Sequence, residues 1–253
     1  MSRFPKDRSA QLRRIAGSFL ALLICCAPAW ANPLQTPGKT AETFAIVMEN
    51  ARRTHDPAQL QSVKAQVEQL IPKNPAEAKN YFNLAQVQSY FLDVYEFQKD
   101  KKNASAGVEK AIEAVQHAIQ LNDKSADAHS LLADLYGRKI GLGGMFAGPK
   151  FGPKVGEENK KAMSLDDQNP RVWASLGRQY LMAPKMFGGD VAKAIESFQK
   201  SLAIDSTRDE TWVWLAKAYQ KQPDKTKARD AVQHALQLNP QSLLAKATLS
   251  ELP

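Results

Sequence analysis

The sequence is poor in cysteine and histidine, and this scarcity limits the chemistry available to it. Its two cysteines, Cys25 and Cys26, both lie within the first 31 residues, so the rest of the chain has no disulfide and no thiolate ligand. Its four histidines are widely spaced, and no compact cluster of His, Asp and Glu has metal-ligand spacing. We therefore expect no metal, no cofactor and, for want of any Ser, His and Asp arrangement, no enzymatic activity.

Long apolar runs are also missing after residue 31. The run from Ile15 to Ala27 is shorter than the roughly 20 residues that a membrane-spanning helix needs. Basic residues precede it, and Ala29 and Ala31 supply small side chains at positions −3 and −1 of a cleavage site before Asn32. We predict that residues 1–31 are a cleavable signal peptide and that the mature chain is exported to the periplasm or secreted. The alternative is an uncleaved anchor.

The charge gives no sign of a nucleic-acid partner. The formal net charge is +8, but five basic residues and only one acidic residue fall within the predicted signal. The remainder has no basic stripe interleaved with aromatic residues. A glycine-rich segment near residue 148 does not bind nucleotides by our reading, because Pro149 separates Gly148 from Lys150 and no hydroxyl residue follows.

What the sequence does have is a repeat. Residues 209–242 follow a pattern of large, small and aromatic residues, continued by small and apolar residues and a closing proline. The positions are Trp212, Leu215, Ala216, Tyr219, Ala228, Val232, Ala235 and Pro240. This segment resembles the tetratricopeptide (TPR) family. The resemblance implies an all-α solenoid of helix hairpins, wound as a right-handed superhelix, in which each hairpin buries its apolar face against the next.

The same register continues upstream. Residues 231–239 recur at 114–122 with a single difference, Ile119 in place of Leu236, and looser copies of the tail of this motif end at Asp166 and Asp205. We predict about five hairpins and a C-terminal capping helix within a domain of residues 32–253. The predicted repeats span about 44–77, 78–125, 126–169, 170–208 and 209–242, and the predicted cap spans 243–252.

Three of the repeats are longer than the 34 residues of the last one. The excess falls between the first and second helix of each, so the insertions should emerge side by side on one edge. In repeat 78–125 we expect the extra residues to lengthen the two helices, with the break between the helices at 103–107. Residues 141–156 hold six glycines and two prolines, and with 183–190 they predict non-helical loops.

These loops are the first candidate surface. Their apolar and basic residues are Met145, Phe146, Lys150, Phe151, Lys154, Lys185, Met186 and Phe187. One interpretation is that the apolar members pack on each other as a small satellite core, because exposed apolar clusters are uncommon on soluble monomers. The other interpretation is that they contact a partner or line a pocket, with the lysines at the rim.

The concave groove lined by the first helices is the second candidate surface. Its candidate binding residues are Phe82, Gln86, Asp134, Arg138, Arg178, Lys217 and Lys221. The Lys and Asn set with which TPR proteins grip chaperone tails is not reproduced here. Arg178, Lys217 and Lys221 give the groove a basic end, which favours an acidic segment; the alternative is that they are solvated surface charges.

Together these observations predict a non-enzymatic scaffold that binds a protein or peptide through the groove, the loop edge or both. The resemblance to TPR proteins specifies the fold well and the partner poorly. The alternative function is a small-ligand carrier or transport accessory protein with an apolar pocket under the glycine-rich loops.

Overall fold

A computed structural model of the chain describes residues 37–252, with side chains from residue 44 onward. The predicted signal segment, residues 1–31, lies outside the described residues. The compact unit of the chain begins at Ala41. In the described range every regular element is helical, which confirms the all-α prediction.

Eleven α-helices and one short 3₁₀-helix follow one another along residues 37–252. The first six are α1 (Pro37–Thr54), α2 (Pro57–Leu70), α3 (Ala78–Phe97), α4 (Lys101–Leu121), α5 (Ala126–Leu142) and α6 (Ala147–Leu165). The others are α7 (Pro170–Met182), the 3₁₀-helix (Lys185–Phe187), α8 (Val191–Ile204), α9 (Asp209–Lys221), α10 (Lys225–Leu238) and α11 (Leu243–Glu251).

Side-chain caps fix where most of these helices begin. The carboxylate of Asp56 accepts from the backbone N–H of Ala58 at 2.7 Å, and the amide oxygen of Asn169 accepts from the N–H of Arg171 at 2.9 Å. Such caps satisfy N–H groups that have no partner within the helix. Equivalent caps come from Glu77, Asp100, Ser125, Asp190, Asp224 and Ser242.

Consecutive helices pack as hairpins, and neighbouring hairpins stack mainly where the second helix of one meets the first helix of the next, as α2 meets α3, α4 meets α5 and α8 meets α9; α5 also packs on α7. In the hairpin of α7 and α8, a small residue lets the two helices approach each other closely. A Cβ atom placed on Gly177 of α7 would lie 2.5 Å from the ring of Phe198 on α8, which is fully buried. Glycine at this position therefore lets the two helices share a tightly packed core.

The aromatic residue near the start of a first helix ties the hairpin to the turn before it. The indole N–H of Trp212 donates to the carbonyl of Ser206 at 2.9 Å. Its ring also lies 4.3 Å from the ring of His234 on α10, centroid to centroid. The same contact recurs between Tyr81 and His117 at 4.1 Å. The two histidines therefore pack against aromatic rings in separate hairpins.

The structure corrects the prediction that residues 141–156 form a loop. Helix α6 begins at Ala147, so the loop is confined to residues 143–146. Pro149 lies in the first turn, where its missing N–H costs nothing, and Pro153 is accommodated within the helix. Burial of Phe151 and Val155 against α5 outweighs the poor helix propensity of the segment.

The predicted break at 103–107 is also wrong. Helix α3 ends at Phe97 and α4 begins at Lys101, so residues 103–107 are helical and the turn lies at 98–100. Lys99 has a positive φ of 59°, which reverses the chain there, and Asp100 caps α4. The extra residues of this repeat lengthen both helices, as the composition had indicated.

Candidate functional site

The first and last hairpins of the unit are in contact through polar side chains. Arg52, near the end of α1, donates from Nη2 to Oδ1 of Asp209 at 2.8 Å. Asn239 donates from Nδ2 to the other oxygen of Asp209 at 2.8 Å and to the carbonyl of Arg53 at 3.2 Å. Arg53 in turn donates to the carbonyl of Leu238. Since Asp209 is only 2% exposed, a buried polar contact holds these hairpins together. The sequence did not predict this contact.

Arg138, a predicted groove residue, is held by carboxylates of the preceding repeat. Its Nη2 donates to Oδ1 of Asp93, and its Nη1 donates to Glu96 at 3.1 Å. The second oxygen of Asp93 lies 3.2 Å from Nε2 of His55. Burial alone would raise the pKa of Asp93, but Arg138 and His55 outweigh it and lower that pKa below its usual value.

Asp134 and Arg178 form a second such pair, between α5 and α7. The guanidinium of Arg178 donates from Nε to Oδ1 of Asp134 at 3.0 Å and from Nη2 to Oδ2, a two-point contact. The hydroxyl of Ser175 donates to the same carboxylate at 2.8 Å. Arg178 also lies over the ring of Trp214, 5.8 Å from its centroid. Asp134 and Arg178 hold the same position in neighbouring repeats, so the repeat register could have predicted that they lie close together.

The two predicted lysines of the groove are also in contact with the protein itself. Lys221 donates to the backbone carbonyl of Leu181 at 2.7 Å. The ammonium of Lys217 lies 5.0 Å from the ring centroid of Trp214. Burial lowers the pKa of Lys217, although Glu251 acts in the opposite direction. Neither lysine projects freely into the groove.

The remaining two groove candidates lie near the start of α3. Phe82 packs, partly buried, against the core that α3 to α6 share. Gln86 is buried, and with its amide oxygen turned toward Arg171 it accepts from both terminal nitrogens of that residue, at 2.5 and 3.2 Å. The charges and amides that the sequence placed in the groove are thus largely paired with one another.

One arginine and one carboxylate in the groove are less well satisfied. Arg208, just before α9, has a buried Nε without a hydrogen-bond partner. Glu210 acts electrostatically on Arg52, Arg178 and Arg208, yet no ion pair joins it to any of them within 4 Å among the described residues. Arg208 was not among the predicted groove residues, because it lies in the turn before the helix and outside the helical register.

The loop residues show the opposite behaviour. Met145 is 83% exposed, Phe146 81%, Met186 82% and Phe187 65%. We call these four residues the apolar edge. The two loops follow α5 and α7, which pack side by side, so both loops lie at the same end of the unit. The satellite-core interpretation is therefore wrong for these four side chains.

The other predicted loop residues belong to different surroundings. Phe151 is buried on α6 and stacks on Tyr136 with 5.7 Å between ring centroids. Lys150 and Lys154, also on α6, place their ammonium groups 5.3 and 5.9 Å from the Phe151 ring centroid. Lys185 is exposed in the 3₁₀-helix beside Met186. Of the three predicted lysines, only Lys185 is therefore adjacent in the chain to a residue of the apolar edge.

Two surface depressions lie elsewhere. One is lined by Trp212, Tyr219 and His234, and the other by Met182, Trp214 and Lys217. Residues 141–156 line neither of them. Among residues 37–252 no three His, Cys, Asp or Glu side chains are grouped as metal ligands. Within the same range, no helix combines the length and the apolar character needed to cross a membrane.

The helix hairpins, their small contact positions and their shared first-helix groove define a helical-repeat protein of the TPR type. The chain belongs to the family described as regulator of microtubule dynamics protein 1–3, whose model matches residues 47–252. A comparison with curated proteins finds no match.

One solved structure supports the same fold, and two others are more distantly similar. TTC0263, a thermophilic TPR protein from Thermus thermophilus, is 15% identical and superposes with a TM-score of 0.63, covering 83% of this chain and 98% of its own. YrrB, a TPR protein with an unusual peptide-binding site, is 13% identical with a TM-score of 0.41, covering 83% and 99%. MamA is 15% identical with a TM-score of 0.41, covering 79% and 92%. The predicted TPR-type all-α solenoid is confirmed.

Proposed function

We propose that the protein is a non-enzymatic interaction scaffold and that a partner protein docks on the apolar edge. The observation that carries this proposal is the exposure of Met145, Phe146, Met186 and Phe187, which ranges from 65% to 83%. Soluble monomers rarely leave such side chains together in water unless the patch is used. Methionine and phenylalanine are also enriched at the cores of protein interfaces.

The local backbone supports the same interpretation. Gly188 adopts a left-handed φ of 88°, which closes the turn after the 3₁₀-helix and holds Met186 and Phe187 at its tip. A Cβ atom on Gly189 would collide with the carbonyl of Ala183 at 1.8 Å. The second loop is therefore a tight, defined turn that presents its apolar residues, which limits the entropy lost on binding.

The proposed site of action is outside the cytoplasm, in the periplasm or beyond the cell. The support is the basic, apolar and small-residue pattern of residues 1–31. N-terminal sequencing of the protein from its native cells tests this proposal. A chain that begins at Asn32 in the exported fraction supports it, whereas an intact Met1 in the cytoplasmic fraction contradicts it.

Capture of the partner tests the scaffold proposal. The wild-type chain is compared with a variant in which all four residues of the apolar edge are replaced by serine. A matched control replaces three exposed apolar residues at the opposite ends of their hairpins, Leu70, Leu121 and Ile204. Proteins crosslinked in the native cell should be lost with the edge variant and retained with the control. Equal recovery with all three proteins would place the interaction elsewhere.

A further inference from the structure

A surface depression between the second helices of the last two hairpins belongs neither to the groove nor to the apolar edge. We call it the notch. Helices α8, α9 and α10 all contribute to its lining, which includes Leu202, Ala203, Trp212, Leu215, Tyr219 and Asp230. Its volume of about 510 Å³ lies within the range of about 300–1,000 Å³ that is usual for binding pockets. The notch is therefore a largely apolar space that a side chain can enter.

The polar atoms of the two large rings in the notch already have partners. The indole N–H of Trp212 donates to the carbonyl of Ser206 at 2.9 Å. The hydroxyl of Tyr219 accepts from Nε2 of Gln199 at 3.2 Å. Both rings are nevertheless only partly buried. What the notch offers a ligand is thus ring surface, which favours an apolar or aromatic group.

The third hairpin shows how a tyrosine in this position is covered. Tyr136 and Tyr219 are each the eleventh residue of their helix. The hydroxyl of Tyr136 accepts from Gln116 at 3.0 Å, as that of Tyr219 does from Gln199. Phe151 also stacks on Tyr136, with 5.7 Å between ring centroids, and leaves it 4% exposed. Tyr219, in contrast, stacks on no aromatic ring of residues 44–252 and stays partly buried.

The difference follows from where the second helices begin. Phe151 lies in the first turns of α6, and the residue equally far from the end of α10 is Asp224, which caps that helix. The next lysines, Lys154 and Lys227, lie 5.4 and 5.6 Å from the centroids of the two tyrosine rings, so the two sites are otherwise alike. The last hairpin thus leaves open an aromatic contact that the third hairpin makes within the chain.

The apolar edge has the side chains that would complete this contact. Phe187 is 65% exposed at the tip of its turn, and Lys185 is exposed beside it. Asp230, in the lining of the notch, is also exposed. Within residues 44–252 neither Lys185 nor Asp230 has a side-chain hydrogen bond or an ion pair. The edge and the notch are therefore complementary both in apolar character and in charge.

We propose that the apolar edge of one copy of the chain docks in the notch of a second copy. A phenylalanine of the edge packs against Tyr219, and the ammonium of Lys185 approaches the carboxylate of Asp230. Because edge and notch are different surfaces, the contact is heterologous. This inference rests on the proposed docking function of the edge and names its partner as a second copy of the chain.

Sedimentation velocity of the purified full chain tests the inference. The average mass of the wild type should rise with concentration, and the serine variant of the edge should associate roughly tenfold or more weakly. Ala203→Arg places a large cation in the notch from an exposed position on α8, and Asp230→Lys reverses the charge there; both should also weaken association. Ala106→Arg, at an exposed position on α4, is the matched control and should associate like the wild type. Circular dichroism checks that each variant is folded.

Mixing two weakened proteins gives a sharper readout. The serine variant keeps its notch and Ala203→Arg keeps its edge, so an equimolar mixture should form a complex of two chains and grow no further. A mixture that stays monomeric would overturn the inference, as would a wild type that is monomeric at every concentration. Association of Ala203→Arg and Asp230→Lys at wild-type strength would also overturn it, since the edge would then dock elsewhere than in the notch.

Failure of this inference is distinguishable from failure of the proposed function. A monomeric wild type whose crosslinked proteins are lost with the serine variant would mean that the edge binds a different protein. The edge function would then stand and the inference would fall. Retention of every crosslinked protein by the serine variant would overturn the edge function, and the inference with it.

Discussion

The groove and the apolar edge differ in how their side chains are satisfied. The groove carries many charges, but Asp93, Asp134 and Asp209 pair with arginines of other repeats. The edge carries four large apolar side chains that contact mainly water. A surface rich in charge is thus not the same as a surface available for binding. The better criterion is a group without a partner, and it selects the edge.

The largest loss of stability is expected when the contact between the first and last hairpins is removed. Asp209→Ala removes the acceptor of both Arg52 and Asn239 and leaves the partly buried Arg52 with only the exposed carboxylate of Glu49. We expect a loss of roughly 3 kcal/mol in the free energy of unfolding. Urea denaturation followed by circular dichroism measures it. Asp209→Asn keeps an acceptor and should lose less; equal losses would mean that the charge has no role.

A smaller loss is expected at the pair between the third and fourth hairpins. Asp134→Ala removes a two-point contact to Arg178 and the acceptor of the Ser175 hydroxyl. We expect a loss of about 2 kcal/mol, since both side chains are mostly buried.

A double-mutant cycle with Arg178→Ala isolates the pair. Its coupling energy should be about 1–2 kcal/mol. Additive losses would show that the two residues stabilise the groove independently of each other.

The sequence predicted the helix hairpins well, because their apolar and small positions repeat with a fixed period. Gly177 illustrates this success, since the register placed a small residue where Phe198 crosses. The helix at 147–156 was missed because glycine and proline lower helix propensity, whereas burial of Phe151 against α5 is a tertiary effect that local sequence does not carry.

The candidate site was less predictable than the fold. The register could place Asp134 and Arg178 on facing helices, but it could not reveal that they neutralise each other. The contact between Arg52 and Asp209 joins residues far apart in the chain, and no repeat period relates them. Exposure of the apolar edge depends on where the helices before and after the two loops end and begin. The sequence did not predict those boundaries.

Acidification should weaken the groove through Asp93. Its pKa is lowered in the folded protein, so its ionised form stabilises the fold above the unfolded pKa of about 4, and this stabilisation is lost as pH falls through the lower folded value. At pH 7 Asp93→Asn should cost on the order of 1 kcal/mol. Urea denaturation of both proteins from pH 7 to pH 3 should show the difference shrinking below about pH 4. A constant difference would mean that ionisation of Asp93 does not stabilise the fold.

The smallest effect on stability is expected at the apolar edge. Replacing Met145, Phe146, Met186 and Phe187 by serine removes side chains that lie mostly in water, so each should change the free energy of unfolding by less than about 0.5 kcal/mol. Urea denaturation of the serine variant measures the sum. A near-neutral result together with a lost partner would mean that these side chains are maintained for binding, in contrast to the groove pairs. A large loss of stability would instead mean that the edge supports the fold, and the division between the two surfaces would fail.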